Sequence, residues 1–91
     1  MSKLEEMREQ IDKIDAEIMK SFEKRMNLSA EIAKFKKDNN LPVVDENREK
    51  EKLDRIAKST SDDMASFSSK LYLTLADLSR DYQNKINSGD K

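Results

Sequence analysis

Residues 4 to 36 read LEEMREQIDKIDAEIMKSFEKRMNLSAEIAKFK and contain neither glycine nor proline. Apolar side chains recur in this stretch every seven residues, in two rows. One row is Leu4, Ile11, Ile18, Arg25 and Ile32; the other is Met7, Ile14, Ser21, Leu28 and Phe35. This is the pattern of a long helix that buries one stripe along its length against other helices. At about 1.5 Å per residue, such a helix is about 50 Å long. A compact globule made from all 91 residues would have a radius of gyration of only about 12 Å, and so a diameter near 30 Å. The helix outruns any globule this chain can build alone. Its stripe therefore calls for a second chain, since oligomerisation is a usual remedy for a small core.

The two rows are each broken once, by Arg25 and Ser21, which lie one turn apart on the face that should be buried. A guanidinium there costs on the order of several kcal/mol unless something anionic meets it. An internal ion pair would answer that demand. So would the carboxylate of a bound ligand.

Composition narrows the chemistry. Eighteen basic residues oppose 19 acidic ones, for a net charge of −1, and the two signs alternate along the helical segments as on solvated faces. That balance argues against nucleic acid or a membrane as a partner. There is no cysteine and no histidine, which removes thiol chemistry, the commonest general base and the commonest metal ligand. The single glycine, Gly89, leaves no glycine-rich phosphate loop. No apolar run approaches the length of a signal segment or a membrane span. A cytoplasmic protein is expected.

The chain is expected to be one all-α domain, 1–91, of three helices. The first covers about 3–38, from an N-cap at Ser2 with Glu5 three residues on, to an exit at Asn39 and Asn40. Leu41-Pro42-Val43-Val44 then favours extended backbone, as a short loop tucked against apolar surface. Asp45 is placed to cap a second helix, about 45–58. A turn at 59–63 leads to a third helix, about 61–87, capped by Thr60 or Ser61.

Several polar residues sit oddly for solvated faces. Asp45, Arg48, Glu49 and Lys52 share one face of the second helix, where a surface salt-bridge ladder is the plain explanation. Ser79 and Gln83, four apart, border the apolar stripe of the third helix and could be satisfied locally. Arg8 and Lys36 flank the seam of the first. Taken together, four cations (Arg8, Arg25, Lys36, Arg48), two acceptors (Asp45, Glu49) and two neutral groups (Ser79, Gln83) suit a small hydroxylated dianion. They do not suit a metal.

These pieces, in their order, resemble the all-helical class of chorismate mutases. The resemblance covers about residues 4 to 86. It rests on M-R-E-Q-I-D-x-I-D with Arg8 and on E-K-R-M-x-L-S-A-E-I-A-x-F-K with Arg25 and Lys36. It continues in P-V-V-D-E-N-R-E with Asp45, Arg48 and Glu49, and in L-S-R-D-Y-Q with Ser79 and Gln83. The resemblance implies three helices per chain, intertwined in a homodimeric bundle with two shared active sites. It implies a Claisen rearrangement of chorismate to prephenate, on the way to phenylalanine and tyrosine, without cofactor or metal. Arg25 and Arg8 of a partner chain would bind the two substrate carboxylates. Lys36 and Gln83 would donate to the ether oxygen whose bond breaks. Glu49 would accept from the ring hydroxyl, Arg48 and Asp45 would shape the same wall, and Ser79 would assist at a carboxylate. Two other readings compete. One is a lyase on the same scaffold that eliminates pyruvate from isochorismate. The other is a helical dimerisation module without catalysis, which explains the heptads but not Arg25.

Overall fold

Ser2 starts the first helix: its side chain accepts a hydrogen bond from the Glu5 backbone N–H at 3.1 Å, and Glu5 and Glu6 place negative charge against the helix N-terminus. The computed structural model describes residues 2–42 and 44–88. Within them the order is α1 (Lys3–Asp38), α2 (Glu46–Ala57), a 3-10 turn (Asp62–Met64) and α3 (Ala65–Asn87). The described residues contain no strand, so the all-α expectation holds.

The end of α1 is set by Asn40, which adopts the left-handed conformation at φ 56. With Asn40 so placed, the Leu41 N–H reaches the Lys36 carbonyl at 2.8 Å and the Asn40 N–H reaches that of Lys37 at 3.3 Å. This double closure takes up two carbonyls that the helix end would leave orphaned, and asparagine pays less than most residues for the left-handed turn. Pro42 then prevents any continuation. Leu41 and Val44 stand exposed on the single chain, not tucked against it as expected. Val43, the other apolar residue of that loop, lies outside the described residues.

Asp45 caps α2, its Oδ1 accepting from the Arg48 N–H at 3.1 Å. The cap expected for the third helix does not form. Ser61 makes no side-chain cap bond, and the Thr60 hydroxyl instead shares a hydrogen bond with Ser68 Oγ at 2.7 Å. The chain winds first into the 3-10 turn, and α3 proper begins at Ala65.

Helix α3 packs against both α1 and α2. The result is a slab with extents of 56 × 33 × 14 Å and a radius of gyration of 16.6 Å. It is much the thinnest along one axis, 14 Å, and α1 and α2 each pack on α3 more than on one another. A stable domain needs two packed layers; this chain makes one. Among the described residues, Ala33 and Tyr72 are the buried apolar ones. Leu4, Met7, Ile11, Ile14 and Ile18, the N-terminal half of the seam, are each about half exposed. Among the described residues, no helix is long and apolar enough to cross a membrane.

Candidate active site

Where α1, α2 and α3 meet, the slab is dented by a cleft of about 270 Å³. Helical spacing explains how α1 and α3 line it. Residues three, four, seven and eleven apart share a helix face. On α1 that stripe runs from Arg25 through Ser29 and Ile32 towards Lys36. On α3 it runs from Tyr72 through Ala76 and Ser79 to Gln83. The third wall is the first two turns of α2, with Arg48, Glu49 and Lys52.

Arg25 is the fixed point of the cleft. Its Nη1 donates to the Leu75 carbonyl at 3.2 Å and to the Ser79 hydroxyl. Ser29 Oγ donates to the same hydroxyl at 3.2 Å, and Ser79 in turn directs its proton to the Met26 sulfur at 3.9 Å. Gln83 Nε2 donates to the Ser29 carbonyl at 3.2 Å. These bonds tie α1 to α3 through buried Ser29, Ser79 and Gln83. Every group that holds Arg25 is neutral. Among the described residues Arg25 makes no ion pair, so the internal-pair explanation for a cation on this face is not the one the structure adopts. Gln83 uses one of its two amide protons in the bond to Ser29, which leaves the other for a ligand.

The charges lining the cleft are unequal. Arg25, Arg48, Lys52 and Arg80 are cationic, and Glu49 is the one acid among the described lining residues. A chain of net charge −1 has gathered four cations and one anion in a partly enclosed cleft. Low-dielectric walls strengthen the attraction such a group exerts on an anion. The salt-bridge ladder considered for α2 is absent among the described residues. Glu49 pairs across to α3, with Arg80 Nη2 at 2.6 Å from its Oε1.

Five of the eight candidate residues therefore line one cleft: Arg25, Arg48, Glu49, Ser79 and Gln83. Lys36 is half-buried in the last turn of α1, one turn beyond Ile32. Asp45 sits one turn before Glu49, with its carboxylate committed to the cap of α2. Arg8 is exposed and lies 17 residues before Arg25 on α1, which is about 25 Å along the axis. Within one chain it is remote from the cleft. Ser29 and Arg80 belong to the cleft but were not singled out from sequence. Ser29 had a signal, since it falls on the stripe from Arg25 to Lys36. Arg80 had only its adjacency to Ser79.

The family model for chorismate mutase type II matches residues 7–84. A curated chorismate mutase from Methanocaldococcus jannaschii is 40% identical over 58 residues, which is 64% of this chain and 59% of that relative. The match thus spans less than two thirds of the relative's own length. No solved structure matches the chain.

Proposed function

The chain belongs to the chorismate mutase type II family, matched over residues 7–84, and from that premise we propose that it converts chorismate to prephenate. The observation that carries this reading is Arg25. A part-buried guanidinium held, among the described residues, only by a carbonyl and a hydroxyl is oriented without being neutralised, and an anionic ligand completes it.

The reaction is a Claisen rearrangement. The ether C–O bond breaks as a C–C bond forms, within one molecule and with no proton transferred in the step. It requires no general base, nucleophile or metal. It requires a reactive chair-like conformer, and fixing the substrate by its carboxylates supplies much of the catalysis. It also requires donors aimed at the ether oxygen, where negative charge develops.

The residues divide accordingly. Arg25 takes one carboxylate and Arg8 of the partner subunit takes the other. Lys36 and the second amide proton of Gln83 donate to the ether oxygen. Glu49 accepts from the ring hydroxyl. Arg48 lines the same wall, and Asp45 supports that wall by capping the helix that carries it. Ser79 sets the guanidinium of Arg25, and its weakly used proton can turn to a substrate carboxylate.

The protein acts as an intertwined homodimer with two shared sites, in the cytoplasm, and needs no cofactor. The single-layer slab and the half-exposed seam from Leu4 to Ile18 support the second copy. The test is an assay that follows loss of chorismate absorbance and identifies prephenate as product, with isochorismate run in parallel. Pyruvate release from isochorismate without turnover of chorismate would assign the site to the lyase instead. Turnover of neither would leave a dimerisation module.

A further inference from the structure

Glu49 is the one acid among the described residues lining a cleft that also holds Arg25, Arg48 and Lys52. Lys52 lies three residues on, within reach on the same helix face. Left to itself, the Glu49 carboxylate would be drawn to one of these cations and away from a neutral hydroxyl. Arg80 prevents this. Its Nη2 donates to Glu49 Oε1 at 2.6 Å, while its Nη1 reaches Asp77 Oδ1 at 3.4 Å, one turn back on α3. The side chains of Arg80 and Glu49 are 34% and 39% exposed, and both line the cleft. The pair joins residues 31 apart in sequence. It is the only ion pair of Glu49 among the described residues.

We propose that Arg80 is a positioning residue for the rearrangement: it grips Glu49 through Oε1 and so leaves Oε2 to accept from the ring hydroxyl of the substrate. This rests on the chorismate mutase reading and adds to it a residue on α3 that decides where the α2 carboxylate stands. The planar guanidinium suits the task. Its fork engages Glu49 with one nitrogen and is braced by Asp77 with the other. An ammonium, as a single point charge, would hold Glu49 with less directional control. A partly exposed ion pair contributes little to stability. The pair is therefore better explained by what it does to Glu49 than by what it does for the fold.

The experiment compares the full-length wild type with Arg80→Ala, Arg80→Met, Arg80→Lys, Glu49→Gln and the double variant Arg80→Met/Glu49→Gln. Each is assayed on chorismate and on an analogue lacking the ring hydroxyl. Arg80→Met keeps the aliphatic stem, so it reports on the charge even if Arg80→Ala folds poorly; thermal melts accompany every variant. Arg80→Ala and Arg80→Met are expected to lose roughly tenfold to a hundredfold in kcat/KM on chorismate, the loss appropriate to one misplaced charge-assisted hydrogen bond. They lose much less on the analogue, and Arg80→Lys recovers part of the difference. In the Glu49→Gln background, Arg80→Met costs nothing further, because residues acting through one contact are not additive. Equal losses on both substrates would reduce Arg80 to a support of the fold. Additive losses in the double variant would mean that Arg80 touches the substrate itself. A faster Arg80→Met enzyme would mean that the pair blocks Glu49. Each of these overturns the assignment while leaving the activity standing. A wild type that makes no prephenate overturns the activity reading, and this assignment with it.

Discussion

Gln83 would face the ether oxygen with a neutral amide, which donates a hydrogen bond at every working pH. The rate is then expected to be nearly flat between about pH 5 and pH 9, since the side chains of ordinary pKa in that range, histidine and cysteine, are both missing from the chain. Gln83→Glu introduces a pH dependence where the wild type has almost none. A carboxyl donates only while protonated, so the variant gains rate as pH falls through its pKa. That pKa is expected above the ordinary value of about 4.3, because position 83 is buried and burial disfavours the charged form. Neighbouring cations oppose part of the rise. A pH–rate profile for Gln83→Glu with the wild-type shape would remove Gln83 from the ether oxygen. The same residue shows what sequence can reveal at this scale. Gln83 and Ser79 share a face by spacing alone, as do Arg25 and Lys36, because the helix period converts separation into direction. The pairing of Arg80 with Glu49 was not legible. It depends on how α3 crosses α2, and no spacing within either helix encodes that crossing.

Asp45 is where an element and a site compete for one side chain. The carboxylate caps α2, and α2 carries Arg48 and Glu49 into the cleft. Asparagine caps a helix about as well as aspartate does, whereas alanine does not. Asp45→Ala is therefore expected to lose about 1 kcal/mol of stability and to lose activity as the first turn of α2 frays. Asp45→Asn keeps the cap while removing the charge. If Asp45 acts only by setting α2, Asp45→Asn retains near-wild-type kcat/KM and melting temperature. A dead but fully stable Asp45→Asn would place the carboxylate itself against the substrate. Caps at Ser2 and Asp45 were readable because each acts within three residues of its own chain. The cap expected at Thr60 or Ser61 was not, because Thr60 bonds to Ser68 on the following helix. Local rules fail where a side chain finds a partner one or more turns away.

At the scale of the molecule, the heptad rows raise the same question as the slab: what covers the half-exposed seam of α1? The proposed second copy would do so at no cost in new sequence, and the stability of the chain would then be linked to concentration. A dilution series is expected to lower the melting temperature of the dimer, and a monomer that stays folded at high dilution would contradict it. The sharper consequence concerns Arg8. It lies about 25 Å from Arg25 on one helix, and side chains reaching roughly 6 to 7 Å each leave a gap of more than about 10 Å. A small ring dicarboxylate does not bridge that gap, so both residues can hold one ligand only if they come from two chains packed antiparallel. Arg8→Ala and Arg25→Ala homodimers are each expected to be nearly inactive. In a mixed dimer one site collects both lesions and the other collects none. Random reassortment makes half of the dimers mixed, so about a quarter of wild-type sites should return in a twofold assembly. Co-refolded variants that form heterodimers, shown by a mass tag, yet stay inactive would confine Arg8 to its own chain or remove it from the site, and the shared-site arrangement would fall with it.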